Sequence, residues 1–349
     1  MFPADFAYAR AGSLAGALAQ LEAAAAAGDD VKVLAGGQSL LPMMKLRLAT
    51  PAALLDIGDL TELKGITASG GQLRVGALAT YRDLQRDPRI AAGFPAIADA
   101  LAVLADPQVR ARGTIGGALA HGDPAADLPP VLLALNARVT IASRASTRTA
   151  ALADFLLGVF STDLAEGELV TAVTIPPLPA GPAPADTGPA DTVPADTVPA
   201  GTVPAAPAAP RRTGQAYEKF AHPASHLPLA GACTVIEAQG EAITGARVAV
   251  TGIAPRAFRI GLPQRDLASR SVSALRAELA DSVQFRGAGA SELDAVLAGA
   301  LEAAMAAAGA EPLADQHASG PFRVHLAAVM ARRALARALS RADAPAGAA

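Results

Sequence analysis

Residues 112–127 read Arg-Gly-Thr-Ile-Gly-Gly-Ala-Leu-Ala-His-Gly-Asp-Pro-Ala-Ala-Asp. A glycine pair, Gly116 and Gly117, stands next to the hydroxyl of Thr114, and two carboxylates, Asp123 and Asp127, follow at i and i+4 near an expected helix start. Successive small residues let backbone N–H groups point into one concavity, which is what a bound phosphate group requires. A carboxylate beside such a loop suits ribose or ring N–H contacts. The same theme occurs upstream, where residues 33–42 read Val-Leu-Ala-Gly-Gly-Gln-Ser-Leu-Leu-Pro directly after an apolar strand. Ser39 adds a hydroxyl donor there. One Gly-Gly turn after a strand is more often only a turn, but two such loops in one chain point to a shared cradle. Neither loop matches G-x-G-x-x-G or the lysine-bearing phosphate loop, so Rossmann and P-loop sites are both disfavoured.

Outward from these loops, the first half alternates helix and strand. Ser13 is a plausible N-cap for a helix whose Leu14, Leu18 and Leu21 recur at i, i+4 and i+7, and apolar strands are expected at Val31 to Leu34 and Ala53 to Ile57. Ser69-Gly70-Gly71-Gln72 predicts a hairpin turn, Thr80 with Asp83 a capping box, and Pro95 to Ala105 a buried helix. Leu128 to Leu135 reads as a helix, and Arg138 to Ser143 and Glu168 to Ile175 as strands. Between Pro176 and Pro210 the composition turns to Pro, Ala, Thr and Asp with a five-residue near-repeat, predicting a solvated low-complexity linker. Beyond it, strands at Ala232 to Ala238 and Ala246 to Thr251 precede helical patterns at about Ser273 to Leu279, Ser291 to Ala308 and Gly320 to Leu339. The expected organisation is a domain over residues 1–177 with an internal boundary near 55–60, an insert over 178–212, a second domain over 213–340, and a disordered tail over 341–349.

Composition narrows the function. Of 349 residues 52% are hydrophobic and 17% charged, the opposite of a disordered chain, and the net charge of −3 offers no footprint for nucleic acid or an anionic membrane. No run of about 18 apolar residues is free of charge, which argues against membrane insertion, so a cytoplasmic location is expected. The single cysteine, Cys233, excludes an internal disulfide and an iron–sulfur cluster held by this chain alone. Within its apolar strand Cys233 reads as a small core residue. His222 and His226 flank a proline and have no further ligand nearby in sequence, so no metal site is expected.

Ala35-Gly-Gly-Gln-Ser-Leu-Leu-Pro-Met-Met-Lys, the run from Ala105 to Pro124, and Ala216-Tyr-Glu-Lys-Phe together resemble the FAD-binding medium subunit of molybdenum hydroxylases, the xanthine dehydrogenase family, nearest the aerobic carbon monoxide dehydrogenase type. The match is collinear from about Phe2 to Leu339 apart from the Pro-rich insert. The resemblance implies an α+β chain: a vanillyl-alcohol-oxidase-type FAD-binding domain of two α/β subdomains, then a C-terminal α+β domain with a small antiparallel sheet plus helices. It implies that Ala35, Gly36, Gly37, Gln38, Ser39 and Leu40, with Thr114, Ile115, Gly116, Gly117 and Ala118, bind the diphosphate and adjacent groups of noncovalent FAD. Asp123 would hydrogen-bond the polar middle of the cofactor, Tyr217 would lie against the isoalloxazine face, and Asp127 is a further cofactor-binding candidate.

Gln38 and Ala118 depart from the His and the Asn, Ser or Asp that relatives often carry, which leaves the backbone cradle intact. For Asp127, His121, Arg110 and Arg112, capping or loop bracing competes evenly with cofactor contact. Tyr217 also fits a structural tyrosine, and Lys219 is expected to be solvated. The resemblance further implies partners: an iron–sulfur small subunit and a molybdenum-binding large subunit that carry the [2Fe-2S] clusters and the molybdenum cofactor, assembled as a dimer of heterotrimers. The chain would pass electrons through FAD to a quinone, NAD or oxygen, with no catalytic acid or base of its own. A stand-alone flavin oxidase and a flavin-free scaffold subunit are the alternatives.

Overall fold

The Ser13 hydroxyl accepts the Gly16 N–H at 3.1 Å and Gly28 closes the other end with φ of 73°, so the first alanine-rich run forms α1 (Leu14–Ala27). The computed structural model describes residues 2–178, 209, 211–261, 270–283 and 292–343. Most of the Pro-rich insert and residues 344–349 of the tail lie outside the described residues. Strands β1 (Ala7–Arg10), β2 (Val31–Leu34) and β3 (Ala53–Asp56) make a sheet in the order β1-β3-β2, both neighbours parallel to β3. α1 supplies one crossover and α2 (Leu40–Lys45) lies in the other. Leu18 and Leu21 of α1 pack on Leu55, Ile57, Leu60 and Leu63. Because the pairing is parallel, the carboxyl ends of all three strands share one edge.

Next come β4 (Ile66–Ser69), β5 (Gln72–Gly76), α3 (Tyr81–Arg86), α4 (Pro88–Gly93), α5 (Pro95–Val103), α6 (Pro107–Arg112), α7 (Ile115–His121) and α8 (Leu128–Ala134). β6 (Arg138–Ala142), β7 (Thr147–Ala151), α9 (Leu152–Phe155), the small hairpin β8 (Leu156–Gly158) and β9 (Ser161–Thr162), and β10 (Leu169–Ile175) complete this region. Its sheet runs β4-β5-β10-β6-β7 and is antiparallel at every pairing. This corrects the expectation of a second α/β subdomain: local hairpins, not helical crossovers, join β4 to β5 and β6 to β7, so this region is itself α+β.

The last sheet is β11 (Arg211–Ala221), β12 (Pro228–Gln239), β13 (Ala242–Thr251) and β14 (Phe258–Ile260), antiparallel in chain order. β12 explains its own sequence. Cys233 and Val235 join the core beneath α5 and α8, whereas Ala232 and Ile236 join a second core under α10 (Val272–Val283), α11 (Glu292–Ala307) and α12 (Gly320–Asp343). Both faces are covered, so the strand reads as a continuous apolar run rather than an alternating one. β11 begins at Arg211, within the segment expected to be an insert over 178–212, and α12 extends to Asp343, into the segment expected to be disordered. Among the described residues no helix is long and apolar enough to cross a membrane.

Candidate functional site

The carboxyl edge of the parallel sheet opens into a cleft of about 220 Å³. Arg10 ends β1, Ala35 and Gly36 follow β2, and Asp56, Gly58 and Asp59 end and follow β3; Leu78, Thr80, Ala111, Arg112 and Thr114 form the opposite wall. Ligands of open parallel sheets bind at this edge, beyond the strand ends. Here the two glycine loops meet backbone to backbone. A Cβ on Gly36 would overlap the Arg112 carbonyl oxygen and lie 2.8 Å from its carbon, and a Cβ on Gly117 would come within 3.8 Å of the Ala35 Cβ. Gly37 turns the first loop with φ of +72°, a left-handed conformation that side chains disfavour.

The two loops divide the work unequally. Among the described residues the N–H groups of Ala35, Gly36, Gly37, Gln38 and Ser39 donate to no protein acceptor, and the Ser39 hydroxyl makes no capping bond. In the second loop the donors are spent: Ile115 N–H goes to Ala79, Gly116 to Ala77, Gly117 to the Thr114 hydroxyl oxygen at 3.2 Å, and Ala118 to the Thr114 carbonyl. Thr114 keeps its own O–H. Ile115 and Gly116 are buried against the segment around Ala77, where a Gly116 Cβ would sit 2.5 Å from the Ala77 Cβ. Gln38 turns inward, its amide Nε2 donating to the Gly36 carbonyl at 3.3 Å.

Charge surrounds the cleft. The Tyr8 hydroxyl donates to Asp56 at 2.6 Å, the Gly58 N–H donates to the same carboxylate at 2.8 Å, and Arg10 binds Asp59 at 2.9 Å. Partial burial works against ionisation of Asp56, but these hydrogen bonds and the charges of Arg10 and Arg112 hold its carboxyl below the usual range. The Arg112 side chain, exposed on the rim, makes no hydrogen bond or ion pair among the described residues, and its charge acts on Asp56 across the cleft. Arg110 braces the loop through the Leu104 and Ala105 carbonyls. Arg10, Asp56 and Asp59 escaped the sequence reading because β1 is four residues long and exposed throughout; Asp56-Ile-Gly-Asp at the end of an apolar strand was the available signal.

Asp127 and Tyr217 form a second cluster at the seam between the five-stranded region and the last sheet. Tyr217 is 2% exposed and donates its hydroxyl to Asp127 at 2.8 Å. Asp127 stands at the N-cap of α8 but makes no capping bond there. Lys219 corrects the expectation of a solvated side chain: it is 4% exposed, 3.0 Å from Asp127, and donates to the His226 carbonyl at 2.8 Å. Burial pushes the Asp127 carboxyl above its ordinary value, opposed by the Lys219 charge and the Tyr217 hydroxyl. Asp123 accepts the Ala125 N–H through Oδ1 at 2.8 Å and is half-buried. The Thr251 hydroxyl clamps this loop by donating to the Pro124 and Ala126 carbonyls. His121 stacks on Phe160 with ring centroids 4.8 Å apart, His222 caps its own turn by accepting the Ala224 and Ser225 N–H groups, and Cys233 is fully buried in β12.

Free backbone donors at the carboxyl edge of a parallel sheet, beside a rim arginine and a threonine hydroxyl, fit the diphosphate of a dinucleotide such as FAD. Ligand pockets run to about 300–1,000 Å³, so the cleft takes one part of such a molecule. The chain belongs to the family described as the FAD binding domain in molybdopterin dehydrogenase, which matches residues 4–178. It is 35% identical over 259 residues to the carbon monoxide dehydrogenase medium chain of Hydrogenophaga pseudoflava, covering 74% of this chain and 78% of that one. To the carbon monoxide dehydrogenase medium chain of Afipia carboxidovorans it is 33% identical over 344 residues, 98% and 99% of the two chains. The solved carbon monoxide dehydrogenase from Hydrogenophaga pseudoflava that lacks the Mo-pyranopterin moiety superposes with a TM-score of 0.74 at 33% identity, covering 98% of this chain and 100% of that one. The protein is an FAD-binding subunit of the molybdenum hydroxylase family.

Proposed function

We propose that this chain carries FAD as an electron relay inside a larger molybdenum hydroxylase, accepting electrons from an iron–sulfur small subunit served by a molybdenum-binding large subunit, in a dimer of heterotrimers. The observation that carries the reading is the run of uncommitted N–H groups from Ala35 to Ser39 in a chain of this family. When bound, FAD supplies the exchange between paired and single electrons. The chain's own residues bind and orient it. The 35–39 backbone, Ser39, Thr114 and Arg112 hold the diphosphate, Asp123 the polar middle, and Tyr217, its hydroxyl held by Asp127, the ring system. In this reading the parallel and antiparallel sheets are the two subdomains of a vanillyl-alcohol-oxidase-type fold, joined near residues 55–60, and the chain from 211 onward is the C-terminal flavoprotein domain. One cysteine rules out a cluster held by this chain alone, so electrons arrive from other chains. Oxidation of carbon monoxide or a heterocycle, and delivery to a quinone, NAD or oxygen, belong to the complex.

Two results test this. Acid precipitation of the purified chain should leave yellow FAD in the supernatant; flavin in the pellet would show a covalent bond, and FMN would remove the diphosphate role. Expressed alone, the chain should reduce no dye with carbon monoxide or purines, and activity should appear only with iron–sulfur and molybdenum subunits. Enzyme-like turnover by the isolated chain would establish a stand-alone flavin oxidase instead.

A further inference from the structure

Asp99 is an isolated carboxylate in the alanine-rich α5, and its residue is 9% exposed. Four donors converge on it. Oδ2 accepts the Tyr217 N–H at 3.1 Å and Arg341 Nη1 at 2.7 Å, and Oδ1 accepts Arg341 Nη2 at 2.9 Å and Arg337 Nη2 at 2.8 Å. The arginines are tied onward, Arg341 to the Gln215 carbonyl at 2.7 Å and Arg337 to Glu218 at 2.9 Å. Gln215 reaches back to the Gly93 carbonyl at 2.8 Å. One carboxylate of the five-stranded region thus bolts down residues 215–218 of β11 and the end of α12. Tyr217 is gripped at both ends, its backbone by Asp99 and its hydroxyl by Asp127.

A carboxylate with matched charge-assisted partners fixes geometry more strictly than apolar packing can, because each bond is directional. We propose that Asp99 is a positioning residue for the FAD site: it sets the register of β11 against α5 and so places Tyr217, and through it Asp127 and Lys219, for the cofactor. The inference rests on the flavin reading of Tyr217 above.

The test uses the full chain with and without FAD. Asp99→Asn keeps the volume and an acceptor for the Tyr217 N–H but removes the charge that Arg337 and Arg341 share. FAD affinity should fall about tenfold, the range of coupling between residues in one network. The rise in melting temperature on adding FAD should shrink, and the visible circular dichroism of the bound flavin should change. In a Tyr217→Ala background the same substitution should cost no more than about twofold in affinity, because the side chain that Asp99 places is gone although the backbone N–H at 217 remains. Arg341→Gln, which leaves Arg337 on Asp99, should give the same pattern more weakly and stands in if Asp99→Asn fails to fold. A merely structural role would lower the melting temperature equally with and without FAD and leave affinity and flavin dichroism unchanged, overturning the inference. Additive losses in the double variant would also overturn it. A wild-type chain that takes up no FAD would remove the functional reading; wild-type uptake with unchanged Asp99 variants would remove only this inference.

Discussion

Gly36→Ala is expected to abolish FAD retention. Even one methyl group at Gly36 would overlap the Arg112 carbonyl oxygen and lie 3.1 Å from the Gly113 Cα. Both obstacles are backbone, so no side chain can rotate away; one loop must move. Overpacking of this kind costs about 1–3 kcal/mol even where side chains can yield. The functional cost is larger, because displacing the first loop scatters the N–H groups of Ala35 to Ser39, which among the described residues donate to no protein acceptor. Gly12→Ala is the control: its Cβ would meet nothing within 4 Å, and its effect should stay within about 0.5 kcal/mol. Flavin-to-protein absorbance after desalting, with melting temperature alongside, checks both. Stoichiometric FAD in Gly36→Ala would show that the meeting of the two loops does not form the cradle.

Local chemistry was legible in the sequence where the structure uses it locally. The Ser13 cap, the Thr80–Asp83 capping box and the Gly70-Gly71 hairpin turn are all contacts within a few residues, and each forms as expected. The two loops were visible for the same reason, since glycines report a backbone need at their own position. What the sequence hid depends on distant partners. Nothing near Arg148 says that β7 pairs with β6, and nothing in the Leu169–Ile175 run separates parallel from antiparallel neighbours. The N–H groups that follow Thr114 look free in the sequence, yet those of Ile115 and Gly116 bond to the Ala79 and Ala77 carbonyls and that of Gly117 to the Thr114 hydroxyl oxygen. Lys219 looked solvated by residue type; only the fold shows that Asp127, 92 residues away along the chain, meets it in the seam. Asp99 is, in the sequence, one charge within an alanine-rich run, and its partners Tyr217, Arg337 and Arg341 lie 118, 238 and 242 residues away.

Lys219→Met should be the most destabilising single substitution in that seam, and its penalty should grow with pH. The side chains of Lys219 and Asp127 are each 4% exposed, so the methionine leaves a carboxylate buried without its counter-ion, a loss of about 3–5 kcal/mol near neutral pH. The pH dependence follows from the direction of the Asp127 shift. Burial raises the carboxyl pKa in the folded chain above its unfolded value, so the folded state holds the proton more tightly. Its contribution to stability therefore declines as pH rises through the window between the unfolded and folded pKa. The Lys219 charge opposes that rise in the wild-type chain; removing it carries the folded pKa further up and extends the decline to higher pH. Urea midpoints measured from about pH 5 to about pH 8 should fall more steeply for Lys219→Met than for wild type. Adding Asp127→Asn, which removes the buried charge while keeping an acceptor for the Tyr217 hydroxyl, should flatten the curve and recover part of the loss. A Lys219→Met chain with unchanged midpoints across that range would mean that the pair is solvated, and the sealed seam that places Tyr217 would have to be given up.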